Sequence, residues 1–348
     1  MTIKDPPRTP RPDSARTGMR EVAERAGVAI SSVSRVLSGH RDVSSVMRSR
    51  VLDAVAALGY EPDILAQSMR TGETMTIAFI VSDISNPLIS EIALGAETTL
   101  RAAGYAMIVV NSMNDPDLEL EHISLMRRRR TDGMLLSLAD ETYPDLRGAL
   151  AKLAVPVVLV DRHLKDLDLG GMVLSEHRSG MREALERLHA LGHRSIALIN
   201  GSVSVRPSRE RANAVRRFAK HHADTHCTVR SGSFTGTFGY DATRELLGRA
   251  ARPTAIISGS NQILVGVLRA LRELELKVPE DVSLITCDDS ALAEFMSPAL
   301  DTIMRDPNEL GSQAASTLLA LLRYEPIEPL NLPTHYQQRA SSAPPPPR

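Results

Sequence analysis

Two hydrophobic periodicities divide this chain of 348 residues. From Gly18 to Leu58, apolar positions recur three and four residues apart: Met19, Val22, Ala23 and Ala26, then Val33, Val36 and Leu37, then Val51, Val55 and Leu58. That spacing puts each set on one helical face, and Gly27, Gly39 and Gly59 punctuate the pattern. The pattern predicts a small three-helix head, with Val28 filling the gap between the first two helices. After Thr74 the texture changes. The runs TIAFIVSD, AMIVVNS, GMLLSL, VPVVLVDR, SIALING, TAIISGS and VSLITCD alternate with helical stretches such as Leu88–Ala103, Ser179–Leu191 and Asn308–Leu322. Strands that are apolar along their whole length belong to parallel sheets covered on both faces, and their alternation with helices predicts a doubly wound α/β fold. About ten strands over roughly 260 residues suit two such lobes better than one, with a ligand cleft at the strands' carboxyl ends.

Composition narrows the function. Aromatics make up 3% of the chain and Trp is absent, so large stacking surfaces are not expected to dominate a ligand site. The two cysteines, Cys227 and Cys287, form no disulfide framework or metal spacing and fit a reducing compartment. The first residues lack an apolar signal-peptide core and no run is long enough to cross a bilayer, so the expectation is a cytoplasmic, nucleoid-associated protein with no membrane partner. Taken over the whole chain, a net charge of −1 argues against nucleic acid. Yet residues 1–70 hold eleven Lys and Arg against eight Asp and Glu, so the positive excess sits in the helical head.

The second helix carries that argument further. Its inward face is Val33, Val36 and Leu37, and its outward face is Ile30, Ser31, Ser32, Ser34 and Arg35. Small and polar side chains on the early outward turns let a helix backbone approach base edges in the major groove. Ile30 and Ser31 are the base-edge candidates, Ser32 and Ser34 suit phosphate oxygens, and Arg35 suits either. Other features read as bland. HHADTHC places His222 and His226 at i and i+4, but as a surface helix end it reads as solvated histidine, and no metal site is assigned. Arg127–Arg130 reads as a solvated helix end. No phosphate-binding glycine loop or nucleophile–base grouping stands out, so no cofactor, catalytic residue or enzyme activity is expected.

The segments MREVAERAGVAISSVSRVLSG and VSSVMRSRVLDAVAALGYEPDILAQSMRTGET resemble the head and hinge of the lactose/galactose repressor family. The residues that carry the likeness are Val22-Ala23, Ala26-Gly27-Val28, Val33 to Val36, Gly59-Tyr60, Pro62 and Ala66 through Gly72. It continues in VSDISNP, TDGMLLS, PVVLVDR, LGHRSIALING, RPTAIISGSN, LKVPEDVSLITCDD and SPALDTI, covering nearly everything from Gly18 to about Gln337. Glu21 replaces the family's usual Asp. Ala29 replaces the Ser that would cap the recognition helix, which costs about 1 kcal/mol. Ile30 and Ser31 fall where relatives differ by operator.

The resemblance implies a ligand-responsive, sequence-specific regulator, a repressor by type. It would bind a pseudo-palindromic double-stranded operator as a homodimer under control of a small polar, sugar-like effector. A solute-binding protein of a transport system is the alternative. The resemblance also implies that the hinge residues Asp63, Leu65, Ala66, Met69 and Arg70 enter the minor groove, with Met69 as an apolar wedge at a central base step. In the core, Arg211, Asp288 and Phe234 match ligand-binding positions, Asn261 stands where an Asp is usual, and Leu88 with Ile89 replaces an aromatic pair. The expected partition is a disordered arm at 1–17, a helix-turn-helix head at 18–61 and a hinge at 62–75. A periplasmic-binding-protein-like core follows, with an N-lobe at 76–174 plus 304–328, a C-lobe at 175–303 plus 329–338, and a disordered tail at 339–348.

Overall fold

The computed structural model describes residues 18–37, 40, 42–60, 72–165, 167 and 169–347. It divides into two compact units at Thr74 and Met75. The first is all helical: α1 (Met19–Ala26), α2 (Ile30–Leu37) and α3 (Ser45–Leu58). Val22, Ala23, Ala26, Val33, Val36, Val51 and Ala54 are buried together, with Tyr60 closing the core and Val28 and Val55 packed on its edge. Gly27 ends α1 in the left-handed conformation (φ 62°), where its N–H bonds back to Ala23 and Glu24. A side chain there would be strained, so the sharp turn into α2 depends on glycine.

The second unit holds two parallel sheets. The first contains β1 (Thr76–Val81), β2 (Ala106–Asn111), β3 (Gly133–Ser137), β4 (Val157–Val160), β5 (Gly170–Glu176) and β11 (Leu330–Pro333), in the order β2-β1-β3-β4-β5-β11. The second contains β6 (Ser195–Asn200), β7 (His226–Ser231), β8 (Ala255–Ser258), β9 (Ser283–Cys287), β10 (Asp301–Met304) and β12 (His335–Gln337), in the order β7-β6-β8-β9-β10-β12. β12 alone of these runs antiparallel to its neighbour. β3, β4, β8 and β9 are buried at every residue, as strands covered on both faces must be.

Helices supply that cover: α4 (Pro87–Ala102), α5 (Pro116–Arg128), α6 (Leu146–Leu150) and α12 (Pro307–Leu322) on the N-lobe, and α7 (His177–Ala190), α8 (Arg206–His221), α9 (Gly236–Leu247), α10 (Asn261–Glu273) and α11 (Ala291–Phe295) on the C-lobe. The backbones of α4 and α12 approach so closely at Gly311 that an added methyl would run into the Ile92 carbonyl. This fastens the returning helix α12 to the N-lobe.

The chain crosses between lobes at Glu176-His177, at Arg305-Asp306 and at Pro333-Thr334. Two crossings are tied together: Thr334 Oγ1 donates to the Glu176 carbonyl (2.6 Å) and Ser179 Oγ to the Thr334 carbonyl (2.7 Å). The assignment of 329–338 to the C-lobe needs correction, because β11 pairs with β5 in the N-lobe sheet and only β12 joins the C-lobe. The tail is corrected too. Residues 339–347 are placed against the C-lobe, not disordered. Ser341 is fully buried, its hydroxyl bonding the Leu284 carbonyl, and Arg339 pairs with Asp289 (2.6 Å). The Ala343 carbonyl meets His193 Nε2 at 2.8 Å. A proline-rich segment lacks N–H donors and can still be held through its serines and carbonyls.

Candidate effector cleft and DNA-binding face

In each sheet the strand order reverses once, between β1 and β3 in the N-lobe and between β6 and β8 in the C-lobe, and ligands bind outside the carboxyl ends of strands at such points. The two reversals share one cleft. From the N-lobe come Ser82 and Asp83 after β1, Ser137 and Ala139 at β3, Asp161 and Arg162 after β4, and Leu88, Ile89 and Ile92 on α4. From the C-lobe come Val205, Pro207, Arg211, Phe234, Ser260, Gln262 and Asp288, with Arg305 from the second crossing. Leu88, Arg211, Phe234 and Asp288 are thus brought together as the sequence suggested. Asn261 does not line the cavity. At the first turn of α10 it points inward at 6% exposure, while Ser260 caps the helix and Gln262 reaches out.

Asp161 and Asp288 sit immediately after β4 and β9 with φ of 52° and 67°. Such left-handed residues cost on the order of 1–3 kcal/mol and cluster at functional sites, where the surroundings hold them. What holds these is charge. Arg305 donates through Nε to Asp288 Oδ1 (2.8 Å) and through Nη1 to Asp161, with Ser175 Oγ at 3.1 Å. Arg206 donates to Asp161 Oδ1 (3.0 Å) and His177 Nε2 lies 3.0 Å from Asp161 Oδ2. Arg211 sits 3.6 Å from Asp288 and donates to the Gly259 carbonyl (2.8 Å).

Burial pushes the Asp161 carboxyl upward, but His177, Arg305 and Arg206 outweigh it and hold it well below the usual carboxylate range. Burial pushes Asp288 up likewise, and Arg305 with Arg211 brings it down. His177 is pushed down to about 4 by burial, against the pull of Asp161, so its imidazole is neutral at pH 7. The lobes are further joined by Gln262 Nε2 donating to Asp83 Oδ2 (2.7 Å) and by an Arg209–Glu141 ion pair. The free volume inside is about 50 Å³, far below the roughly 300–1,000 Å³ of ordinary ligand pockets. The cleft is closed.

Asp161, Arg305, Arg206, His177, Gln262 and Glu141 were not singled out in the sequence. A readable signal existed for two of them: the charged residues ending VPVVLVDR and following DTIM stand directly at strand ends.

In the head, Ile30 is 46% exposed and Ser31 and Arg35 are exposed, while Val33 and Val36 on the opposite face are buried. Ser32 and Ser34 are half-buried at the helix flanks. The Ala29 carbonyl accepts from Ser32 N and Val33 N, so α2 starts without a side-chain cap. Asp63, Leu65, Ala66, Met69 and Arg70 lie outside the described residues.

A short all-helical head joined to a two-lobed, periplasmic-binding-protein-like core defines a regulator with separate DNA-reading and ligand-sensing parts. Comparison with known proteins agrees. Residues 18–63 match the family model for bacterial regulatory proteins of the lacI family, and residues 185–342 match a periplasmic binding protein-like domain. The ribose operon repressor of Escherichia coli K12 is 33% identical over 331 residues, covering 94% of this chain and 97% of that one. The lac repressor dimer bound to operator and the anti-inducer ONPF superposes with a TM-score of 0.84 at 25% identity, covering 94% of this chain and 99% of that one. A LacI family regulator from Enterococcus faecium with bound ribose gives 0.68 at 26% identity, covering 77% and 99%.

The chain belongs to the lacI family of bacterial regulatory proteins. It is a ligand-responsive, DNA-binding transcriptional repressor, and the transport-protein reading is not favoured. These relatives are repressors and no enzyme family is indicated. No described helix is long and apolar enough to cross a membrane.

Proposed function

We propose that a homodimer of this chain represses transcription by binding a pseudo-palindromic double-stranded operator, and that a small neutral sugar in the inter-lobe cleft is its effector, with a pentose the first candidate. In each head Ile30 and Ser31 read base edges, and Ser32, Ser34 and Arg35 hold phosphates. Asp63, Leu65, Ala66, Met69 and Arg70 form the minor-groove contact, with Met69 as the wedge. The effector contacts are Leu88, Arg211, Phe234 and Asp288, with Asp161 and Arg305 added. Asn261 is kept as a supporting residue, because both of its amide atoms are buried without a partner.

One observation carries the effector reading. Three carboxylates, Asp83, Asp161 and Asp288, and three guanidinium groups, Arg162, Arg211 and Arg305, line a cavity flanked by Leu88, Ile89 and Phe234. Carboxylates accept from vicinal hydroxyls, guanidinium groups donate to ring and hydroxyl oxygens, and apolar side chains cover C–H faces. Balanced charge suits a neutral polyol better than an anion. The ribose named for two relatives supports the same choice.

A sugar competing for Asp161 and Asp288 acts on Arg305 and His177, which lie on two of the crossings between lobes. Differential affinity for two lobe arrangements then shifts the population that binds operator. Cytoplasmic action at the nucleoid follows from this reading. The test is a thermal-shift and calorimetric panel of pentoses, hexoses, sugar phosphates and nucleosides on the purified full chain. A neutral pentose raising the unfolding temperature in a saturable way is the expected result. Stabilisation by anionic ligands alone overturns the charge argument.

A further inference from the structure

We propose that Glu186, His189, His222 and Asp224 form a binding site for a divalent transition metal on the outer side of the C-lobe. Glu186 and His189 are three residues apart on α7, so they share one helix face. His222 follows the last residue of α8, and Asp224 lies in the turn leading to β7. One ligand atom each from His189, His222 and Asp224 lies within 4.8 Å of the other two, and Glu186 Oε1 is 3.3 Å from His222 Nε2.

In the sequence His226 stands four residues after His222, a spacing read above as solvated histidine. The fold separates them, because His226 opens β7 and its Nε2 meets Thr228 Oγ1 at 3.2 Å. The residue that replaces it comes from thirty-three positions upstream, which spacing alone does not reveal.

The site has the support that metal-binding histidines need. His189 Nδ1 is 3.0 Å from Thr225 Oγ1, which orients the ring and leaves Nε2 as the ligand atom. Phe218 stacks on His222 at 4.1 Å between centroids and 21° between planes, and meets His189 edge-on. Arg194 holds Asp224 Oδ2 at 2.7 Å and Thr225 Oγ1 donates to Oδ1 at 3.3 Å, which fixes the carboxylate beside the two rings with lone pairs left for coordination. The negative ends of two helix dipoles, α7 and α8, converge here and favour a cation.

Two imidazoles with two carboxylates suit Zn²⁺, Co²⁺ or Ni²⁺ better than Mg²⁺ or Ca²⁺, which prefer all-oxygen shells. Coordination at about 2.0–2.2 Å requires the ligand atoms to draw in by roughly an ångström. Glu186 and Asp224 are exposed and can draw in toward the two imidazoles, which Thr225 and Phe218 hold. The metal would tie together the C-terminal ends of α7 and α8, whose N-terminal halves carry His177, Arg206 and Arg211 toward the cleft.

The test uses the untagged full chain titrated with Co²⁺ and Zn²⁺, followed by calorimetry and by the visible Co²⁺ spectrum. One ion per chain with a spectrum of nitrogen and oxygen ligands is expected, with affinity falling at least about tenfold in His189→Ala and in His222→Ala. His221→Ala and His226→Ala should leave it unchanged. Both rings are half-buried, so Glu186→Gln, at an exposed position and also expected to weaken binding, keeps the test informative if a histidine variant disturbs packing; the urea midpoint of each variant checks the fold. No saturable binding, equal loss in the two control variants, or a thiolate band from Cys227 would each overturn the assignment.

Discussion

The head and the core solve recognition in opposite ways. In the head the groups proposed to contact DNA stand outside a small apolar core: α2 buries Val33 and Val36 and turns Ile30, Ser31 and Arg35 to solvent. In the core the groups proposed to contact the effector are themselves part of the packing. Asp161, Asp288, Arg305 and His177 are each less than about a twentieth exposed and hold one another. A surface meant for DNA can keep its shape whether or not DNA is present. A closed, charge-paired cleft changes when a ligand takes over one of its partners.

Arg305→Ala attacks the difference most severely. Removing one member of a buried ion pair leaves uncompensated charge and costs about 3–5 kcal/mol, here borne by the core alone. Urea unfolding should show the core transition displaced and the head's helical signal unchanged at low denaturant. A core midpoint that does not move would mean water, not Arg305, balances Asp161 and Asp288.

Arg35→Ala makes the reciprocal cut. DNA affinity should fall about equally for operator and random sequence, with the log–log salt slope lowered by about 1 and sugar binding and core stability intact. Weakened sugar binding would show that the two regions are less separate than described.

Acid separates two buried groups in the core by sign. His177 has its value lowered to about 4 in the fold against 6.5 in a free chain. Between those values the unfolded chain binds the extra proton, so stability rises with pH and is lost on acidification. Glu119 is raised to about 7 by burial, against a donated Ala139 N–H. There the folded state binds the extra proton, so stability falls as pH rises from about 4.5 to 7. The two slopes oppose each other. Chemical denaturation at pH 4.5, 5.5 and 7 should show the rising contribution reduced in His177→Gln and the falling one reduced in Glu119→Gln.

The smallest effect belongs to the head. Ala29→Ser supplies the missing cap and should stabilise it by about 1 kcal/mol or less, read as a higher melting temperature of the helical signal. No change would mean the first turn of α2 is already satisfied by solvent.

The same contrast explains what could be read from the sequence. The head was legible because its rules are local: helical spacing placed Val22, Val33 and Val51 inside, and the opposite face of α2 followed. The lobes were legible because apolar runs such as Ile77–Val81 and Ile196–Ile199 announce buried parallel sheets. The cleft was only half legible. Arg211, Phe234 and Asp288 came from family likeness, whereas Asp161, Arg206 and Arg305 meet through tertiary folding across up to 144 positions. The lobe boundary near 329–338 was misjudged because a four-residue strand such as β11 carries too little pattern to choose a sheet. The tail was misjudged because proline-rich composition says nothing of the buried anchor at Ser341.

The central claim is that the cleft controls the head without contributing to DNA contact. The most direct measurement is a mobility shift on a fragment from upstream of the chain's own coding region, with and without the stabilising sugar, for the wild type and an Arg211→Ala/Asp288→Asn variant. The account expects preference for that fragment over random DNA in both proteins, and a sugar-dependent shift in the wild type only. Equal affinity for random DNA, or a sugar response that survives in the variant, would contradict it.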